Sequence, residues 1–141
     1  MITQLILGSF VCLICIAIHA LAMTIVISTA RRGLVWRERY SGLWLATVMV
    51  ATVAVLLGTH LVEVLAWSLT YSIFHVAPEK SSVIYFALVN YTTLGYGDIL
   101  PVESWRLLGP MTAMSGILLF GWSTAVIFEV LREALRIAGK G

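Results

Sequence analysis

The sequence predicts an all-α membrane protein with three transmembrane helices and a short re-entrant helix between the second and the third. The 141-residue chain is 60% hydrophobic and only 11% charged, whereas soluble domains carry roughly 25% charged residues. Its apolar residues form three long runs, at about 5–30, 43–71 and 107–130. Each run reaches the roughly 20 residues that a helix needs to cross a bilayer.

The first run is expected to be a transmembrane helix rather than a signal peptide. It lacks a basic segment before its apolar part, it is too long, and the chain continues into further spans. Cys12 and Cys15 share one face of this helix and are expected to pack as small apolar side chains. With the basic loop that follows it, this helix makes residues 1–40 a segment of their own.

The basic residues predict the orientation, because Lys and Arg concentrate in cytoplasmic loops. Residues 31–39 carry four arginines and one glutamate, and the 132–141 tail is also basic. We therefore expect the N-terminus and the 72–106 linker outside, and the 31–39 loop and the tail inside, in a plasma or bacterial inner membrane. Aromatic residues at the predicted membrane boundaries agree with this orientation: Trp36, Tyr40 and Trp44 inside, and Trp67, Tyr71 and Trp105 outside. A net charge of +2 does not indicate a nucleic-acid partner, and no soluble partner is predicted.

The apolar segment 83–91 is too short to span a bilayer and suits a re-entrant helix. Pro78 and Glu79 are typical of a first helical turn, and Ser81 or Ser82 is a suitable cap. The sequence therefore predicts a helix over about 79–91 that enters from outside and ends inside the membrane.

The next stretch, "TTLGYGD" from Thr92 to Asp98, must return to the outside. Non-helical backbone at membrane depth is tolerated only where it is buried in protein or lines a watery cavity. Gly95 and Gly97 adopt a positive φ at little cost. Alternating them with Leu94 and Tyr96 turns successive carbonyl groups to one side, which suits a dehydrated cation, and the preceding helix aims its negative end at the same place.

The hexad from Thr93 to Asp98 resembles the selectivity filter of tetrameric potassium channels, with Leu94 in place of the usual Val. Residues 41–131 resemble the pore module of that family: outer helix 43–71, pore helix 79–91, filter 92–98 and inner helix 105–131. The resemblance implies a homotetramer in the lipid bilayer, with a central pore and no cofactor besides potassium ions. It implies K⁺ binding at the carbonyls of Thr93, Leu94, Gly95 and Tyr96, with Gly97 completing the filter.

Six residues are expected to support the filter. The resemblance implies Thr92, Asp98, Tyr85 and Asn90, and Glu63 and His60 are added because they lie in the outer half of the second span, near the depth of the re-entrant helix. Tyr96 is expected to brace the filter against Tyr85 and Phe86, and Tyr85 is expected to donate to Asp98. The family's pore-helix Glu and Thr appear here as Val89 and Asn90.

His60 and Glu63 share a helix face, and ionisable residues within a span are functional candidates by default. Two interpretations stay open. Either they form a brace or proton sensor in which Glu63 bonds to Asn90 or Tyr85, or they are a mutually satisfied buried pair. His19 is expected to be a hydrogen-bonded packing residue, and His75 to be solvated.

In the third span Gly116 matches the family's hinge glycine. Four residues at helical spacing are expected to face the cavity: Ile117, Phe120, Thr124 and Phe128. Phe128 is the candidate for an apolar gate that closes by dewetting. The alternative for these four residues is ordinary helix–helix packing.

Other functions are less well supported. A non-conducting channel subunit is one alternative. A haem or redox protein with His19 and His60 as axial ligands is another, although the two lie roughly 21 Å and roughly 14 Å from the outer ends of their helices. No nucleophile–base pair or phosphate loop indicates an enzyme, and no segment carries Arg at every third position as a voltage sensor does.

Overall fold

The computed structural model describes residues 1–35, 42–78 and 81–138. Within these ranges the chain forms four α-helices and a short 3₁₀ turn at Glu103–Trp105. The α-helices are α1 (Ile2–Val35), α2 (Gly42–Ile73), α3 (Val83–Tyr91) and α4 (Leu108–Ala138). Helices α1, α2 and α4 are long and apolar enough to cross a membrane, and α3 is too short to do so. The predicted fold class is confirmed.

The long helices extend beyond the apolar runs that predicted them. Helix α4 continues through Arg132 and Arg136, whose guanidinium groups lie 2.6 Å from the carboxylates of Glu129 and Glu133, one turn earlier. Such pairs at a spacing of three residues support a helix outside the apolar region. The predicted inner-boundary residues Trp36 and Tyr40 lie outside the described residues.

Helix α3 begins later than the sequence predicted. Ser82 precedes it in an extended conformation, and its side-chain oxygen accepts a hydrogen bond from the backbone N–H of Tyr85. An N-cap of this kind satisfies one of the free amides at a helix start. The prediction of a helix from about residue 79 is therefore wrong at residues 81 and 82, which precede the helix. Residues 79 and 80 lie outside the described ranges.

Helix α1 docks on both α2 and α4, and α3 packs against α2 and α4. At the N-terminal end of α1, the amide of Gln4 donates to the carbonyl of Ser104 (2.6 Å) and its oxygen accepts from the backbone N–H of Leu107 (2.9 Å). Gly8 approaches Met111 so closely that a Cβ atom would overlap the methionine side chain. The first helix is therefore held against the start of α4.

Candidate functional site

The loop from Thr92 to Asp98, here the 92–98 loop, folds back on the end of α3. The backbone N–H of Thr93 donates to the carbonyl of Asn90 (3.0 Å), and those of Leu94 and Gly95 both donate to the carbonyl of Val89 (3.0 and 3.4 Å). Carbonyls in the last turn of a helix have no partner within it. The amides of the 92–98 loop supply these partners.

These hydrogen bonds fix the direction of the carbonyl groups. The described peptide bonds are trans, so the C=O and N–H of one peptide unit point in opposite directions. The amides of Thr93, Leu94 and Gly95 point back to α3. The carbonyl oxygens of Thr92, Thr93 and Leu94, which share those peptide units, therefore point away from α3.

The backbone of the 92–98 loop alternates in handedness. Gly95 and Gly97 have φ of +54° and +77°, which glycine adopts readily. Thr93 also has a positive φ, +61°, which is a genuine outlier for a β-branched residue. Backbone strain of this kind concentrates at ligand-binding sites. The sequence carried no signal for it, because threonine itself argues against this conformation.

The side chains that flank the 92–98 loop tie it to α3. The Tyr85 hydroxyl donates to Oδ2 of Asp98 (2.7 Å), and this hydrogen bond to the carboxylate raises the pKa of the Tyr85 hydroxyl. Thr92 Oγ1 donates to the carbonyl of Leu88 (2.8 Å). Tyr96, expected to brace against Tyr85 and Phe86, is 69% exposed within one chain.

Asn90 faces a neighbouring helix. Its Nδ2 donates to the carbonyl of Phe86 (2.9 Å). Its Oδ1 lies 3.3 Å from the position that a Cβ atom on Gly109 would occupy. These contacts place Asn90 at the junction between α3 and α4.

Behind α3 lies a buried polar cluster that the sequence predicted only in part. Glu63 is 0% exposed. Its carboxylate lies 2.8 Å from Nδ1 of His19 and 3.0 Å from Nδ1 of His60, and it accepts a hydrogen bond from the Tyr91 hydroxyl. The expected bond from Glu63 to Asn90 or Tyr85 is wrong, because Tyr91 is the residue of α3 that reaches this carboxylate.

His19 and His60 lie side by side, although their positions along the sequence predicted different distances from the outer ends of their helices. Their ring centroids lie 5.3 Å apart, because α1 docks so that His19 reaches the same carboxylate as His60. The other nitrogen of each ring, Nε2, lies within 3.3 Å of Ser123 Oγ. All four ring nitrogens thus contact oxygen atoms of other side chains.

On α4, the residues expected at a hinge or cavity take two different positions. Gly116 lies against the backbone of Tyr91, where a Cβ atom would overlap the carbonyl oxygen. Ile117, Phe120 and Phe128 are 60%, 38% and 66% exposed in the single chain, and Thr124 is exposed as well. The Phe120 ring lies 4.5 Å from the His60 ring, so it separates the polar cluster from this exposed face.

Helices α2 and α4 are long and apolar enough to cross a membrane, and the short helix α3 and the exposed 92–98 loop connect them. This arrangement is typical of membrane proteins that conduct ions. The family described as "Ion channel" matches residues 59–133, more than half of the chain, and the protein belongs to this family. The matched part holds His60, Glu63, all of α3, the 92–98 loop and most of α4, while α1 with His19 lies outside it. No match was found among curated proteins or among solved structures.

Proposed function

We propose that the protein is a potassium-selective channel and that the 92–98 loop is its selectivity filter. The observation that carries this proposal is the alternating positive φ at Thr93, Gly95 and Gly97, combined with amides that point back to α3. Carbonyl oxygens aligned in this way replace the hydration shell of K⁺ in filters of this kind. The ions bind at the carbonyls of Thr93, Leu94, Gly95 and Tyr96.

The filter is completed in a homotetramer. One chain supplies carbonyls on one side of an ion only, and closed rotational symmetry brings identical loops around one axis. Residues 92–98 are all exposed in the single chain, and backbone of this kind within a membrane requires a protein partner or a watery cavity. Four α4 residues then line the cavity: Ile117, Phe120, Thr124 and Phe128.

The channel conducts K⁺ passively in a plasma or bacterial inner membrane, with its N-terminus outside and its C-terminus inside. Phe128 forms an apolar ring at the inner end of the cavity. Its 66% exposure in one chain supports this assignment, because a gate that closes by dewetting needs an apolar side chain directed at the pore.

The proposal is tested by rubidium and sodium flux into liposomes that contain only this chain. The wild type is expected to pass rubidium and to exclude sodium. Gly95→Ala is expected to abolish selective flux while the purified oligomer persists, because alanine is strained at a φ of +54°. Gly58→Ala, where a Cβ atom meets nothing within 4 Å, is the matched control and is expected to retain flux.

The same experiment separates this function from its alternatives. Unchanged selectivity in Gly95→Ala would refute the filter assignment. Absence of rubidium flux with the wild-type chain alone, in correctly assembled liposomes, would instead favour a non-conducting subunit that needs another chain.

A further inference from the structure

The buried polar cluster behind α3 joins four helices through one set of side chains. His19 belongs to α1, His60 and Glu63 to α2, Tyr91 to α3 and Ser123 to α4. Their exposed fractions are 0%, 8%, 0%, 1% and 6%. Burial of this many ionisable groups is expensive unless each is paired. The cluster is therefore a built site rather than a chance surface grouping.

The inner part of the cluster contains the donor atoms of a metal site. One ligand atom from each of His19, His60 and Glu63 lies within 4.8 Å of the other two. Both Nδ1 atoms face the same carboxylate, at 2.8 and 3.0 Å. The Tyr91 hydroxyl lies 2.8 Å from Nδ1 of His60 and also contacts the carboxylate. Donor atoms bound tetrahedrally to one Zn²⁺ at about 2.0–2.2 Å lie roughly 3.3–3.6 Å apart, somewhat farther than the 2.8–3.0 Å of these contacts.

The outer part of the cluster matches the support that metal-binding histidines need. Nε2 of His60 lies 2.9 Å and Nε2 of His19 lies 3.3 Å from the one hydroxyl oxygen of Ser123. Metal-binding histidines almost always donate their second ring N–H to a neighbouring acceptor. The Ser123 oxygen has two lone pairs, so it accepts from both rings when their Nδ1 atoms bind a metal.

A divalent ion suits this set of groups. It binds the buried carboxylate of Glu63 and the Nδ1 lone pairs of both histidines at once, and both Nε2–H groups then donate to the Ser123 oxygen. Burial of the Glu63 charge costs less free energy when that charge is paired with a cation.

We infer that His19, His60 and Glu63 bind a divalent transition-metal ion of the zinc class, with the Tyr91 hydroxyl donating to the Glu63 carboxylate. Imidazole nitrogens suit Zn²⁺ and its neighbours in the first transition row, whereas Mg²⁺ and Ca²⁺ prefer oxygen ligands. The ion ties α1 to α2 and, through Glu63, to Tyr91, two residues before Thr93. It thereby anchors the end of α3 and gives α1 a function in the assembly. This inference concerns a site separate from the ion pathway and does not depend on potassium selectivity.

The test measures zinc in protein that has folded in its presence. The chain, with an affinity tag free of histidine, is produced in zinc-supplemented medium, purified as the oligomer in detergent and washed with a chelator. Elemental analysis is expected to find about one zinc per wild-type chain. His75→Ala, which removes an exposed histidine, is the matched control and is expected to retain it. His19→Gln and His60→Gln are each expected to lose it, and Ser123→Ala to weaken affinity roughly 10- to 100-fold.

Replacement of zinc by Co²⁺ supplies a second measurement. The wild type is expected to show visible cobalt absorption that is absent from His19→Gln. Zinc-free wild-type protein after folding in zinc would overturn the inference, whether or not the variants fold. Equal zinc content in the wild type and in both histidine variants would overturn it too, as would loss of zinc in His75→Ala alone.

Discussion

Gly116 of α4 lies against the backbone carbonyl of Tyr91 so closely that a Cβ atom at position 116 would overlap the carbonyl oxygen. Tyr91 is the last residue of α3, and the 92–98 loop follows it directly. The absence of a side chain at position 116 therefore sets how near α4 comes to the base of this loop. By resemblance Gly116 is a hinge, whereas the structure gives this glycine a packing reason as well.

Gly116→Ala is expected to destabilise the protein. The new methyl group meets backbone rather than a flexible side chain, and overpacking of this kind costs typically about 1–3 kcal/mol. Gly121→Ala on the same helix meets nothing within 4 Å and is expected to be neutral or stabilising by up to about 1 kcal/mol, from helix propensity. Thermal unfolding of the purified oligomers measures both. Equal effects on stability, with altered flux only in Gly116→Ala, would favour the hinge over the packing role.

Thr93→Gly is expected to raise stability and to lower selectivity. A left-handed conformation costs a residue with a Cβ atom roughly 1–2 kcal/mol, and glycine removes this cost at φ +61°. The substitution also removes the Thr93 hydroxyl group and gives the backbone carbonyl groups of the 92–98 loop more conformational freedom. The control is Thr92→Gly, at a right-handed residue with φ −81°, where glycine is expected to lower stability because it increases the freedom of the unfolded chain and removes the hydrogen bond to Leu88. A loss of stability in both variants would argue against strain at Thr93.

Tyr85→Phe is expected to change ion selectivity more than stability. It removes the hydrogen bond to Asp98, which holds the outer end of the 92–98 loop, while the exposed ring keeps its position. Asp98→Asn keeps an acceptor for the Tyr85 hydroxyl and is expected to have the smaller effect. The measurement is the ratio of rubidium to sodium flux. A larger change in Asp98→Asn would show that the charge of Asp98, and not this hydrogen bond, is what matters.

The hydrogen bond from Tyr85 to Asp98 is expected to keep its contribution to the stability of the protein at moderately alkaline pH. The carboxylate raises the pKa of Tyr85 above its ordinary value of 10.0. A group whose folded-state pKa is raised contributes its full stabilisation below the unfolded-state pKa and loses it above the folded-state pKa. The contribution of this bond is thus expected to stay constant up to pH 10.0 and to fall beyond it. The difference in thermal unfolding between wild type and Tyr85→Phe, measured against pH, checks this.

Gln4→Leu is expected to loosen α1 from the rest of the chain. The Gln4 side chain makes two hydrogen bonds to backbone near the start of α4, and each is worth roughly 1 kcal/mol net. We expect a loss of about 2 kcal/mol in the free energy of unfolding. Thr24→Val removes a hydrogen bond that stays within α1 and is expected to change stability by less than about 0.5 kcal/mol. Similar losses in both variants would mean that Gln4 does not anchor α1.

The sequence by itself determined the features that depend on local composition. Three apolar runs of sufficient length predicted the three long helices, since only a regular helix satisfies its own backbone in a bilayer. The positive φ of Gly95 and Gly97 was predictable because glycine carries no Cβ atom. The start of α3 was less predictable, because several residues before it are suitable helix starters, and only the observed bond to Ser82 selects one of them.

Only the tertiary structure decided which distant residues meet. Counting residues along separate helices placed His19 and His60 at different depths, but the helices dock so that both reach Glu63. The contact of Gly116 with Tyr91 and the left-handed backbone at Thr93 have the same origin. Each depends on how helix faces pack and on where the amides after α3 find their acceptors. A linear pattern specifies which face of a helix is apolar, but not its offset against its neighbours, and that offset is what assembled the site.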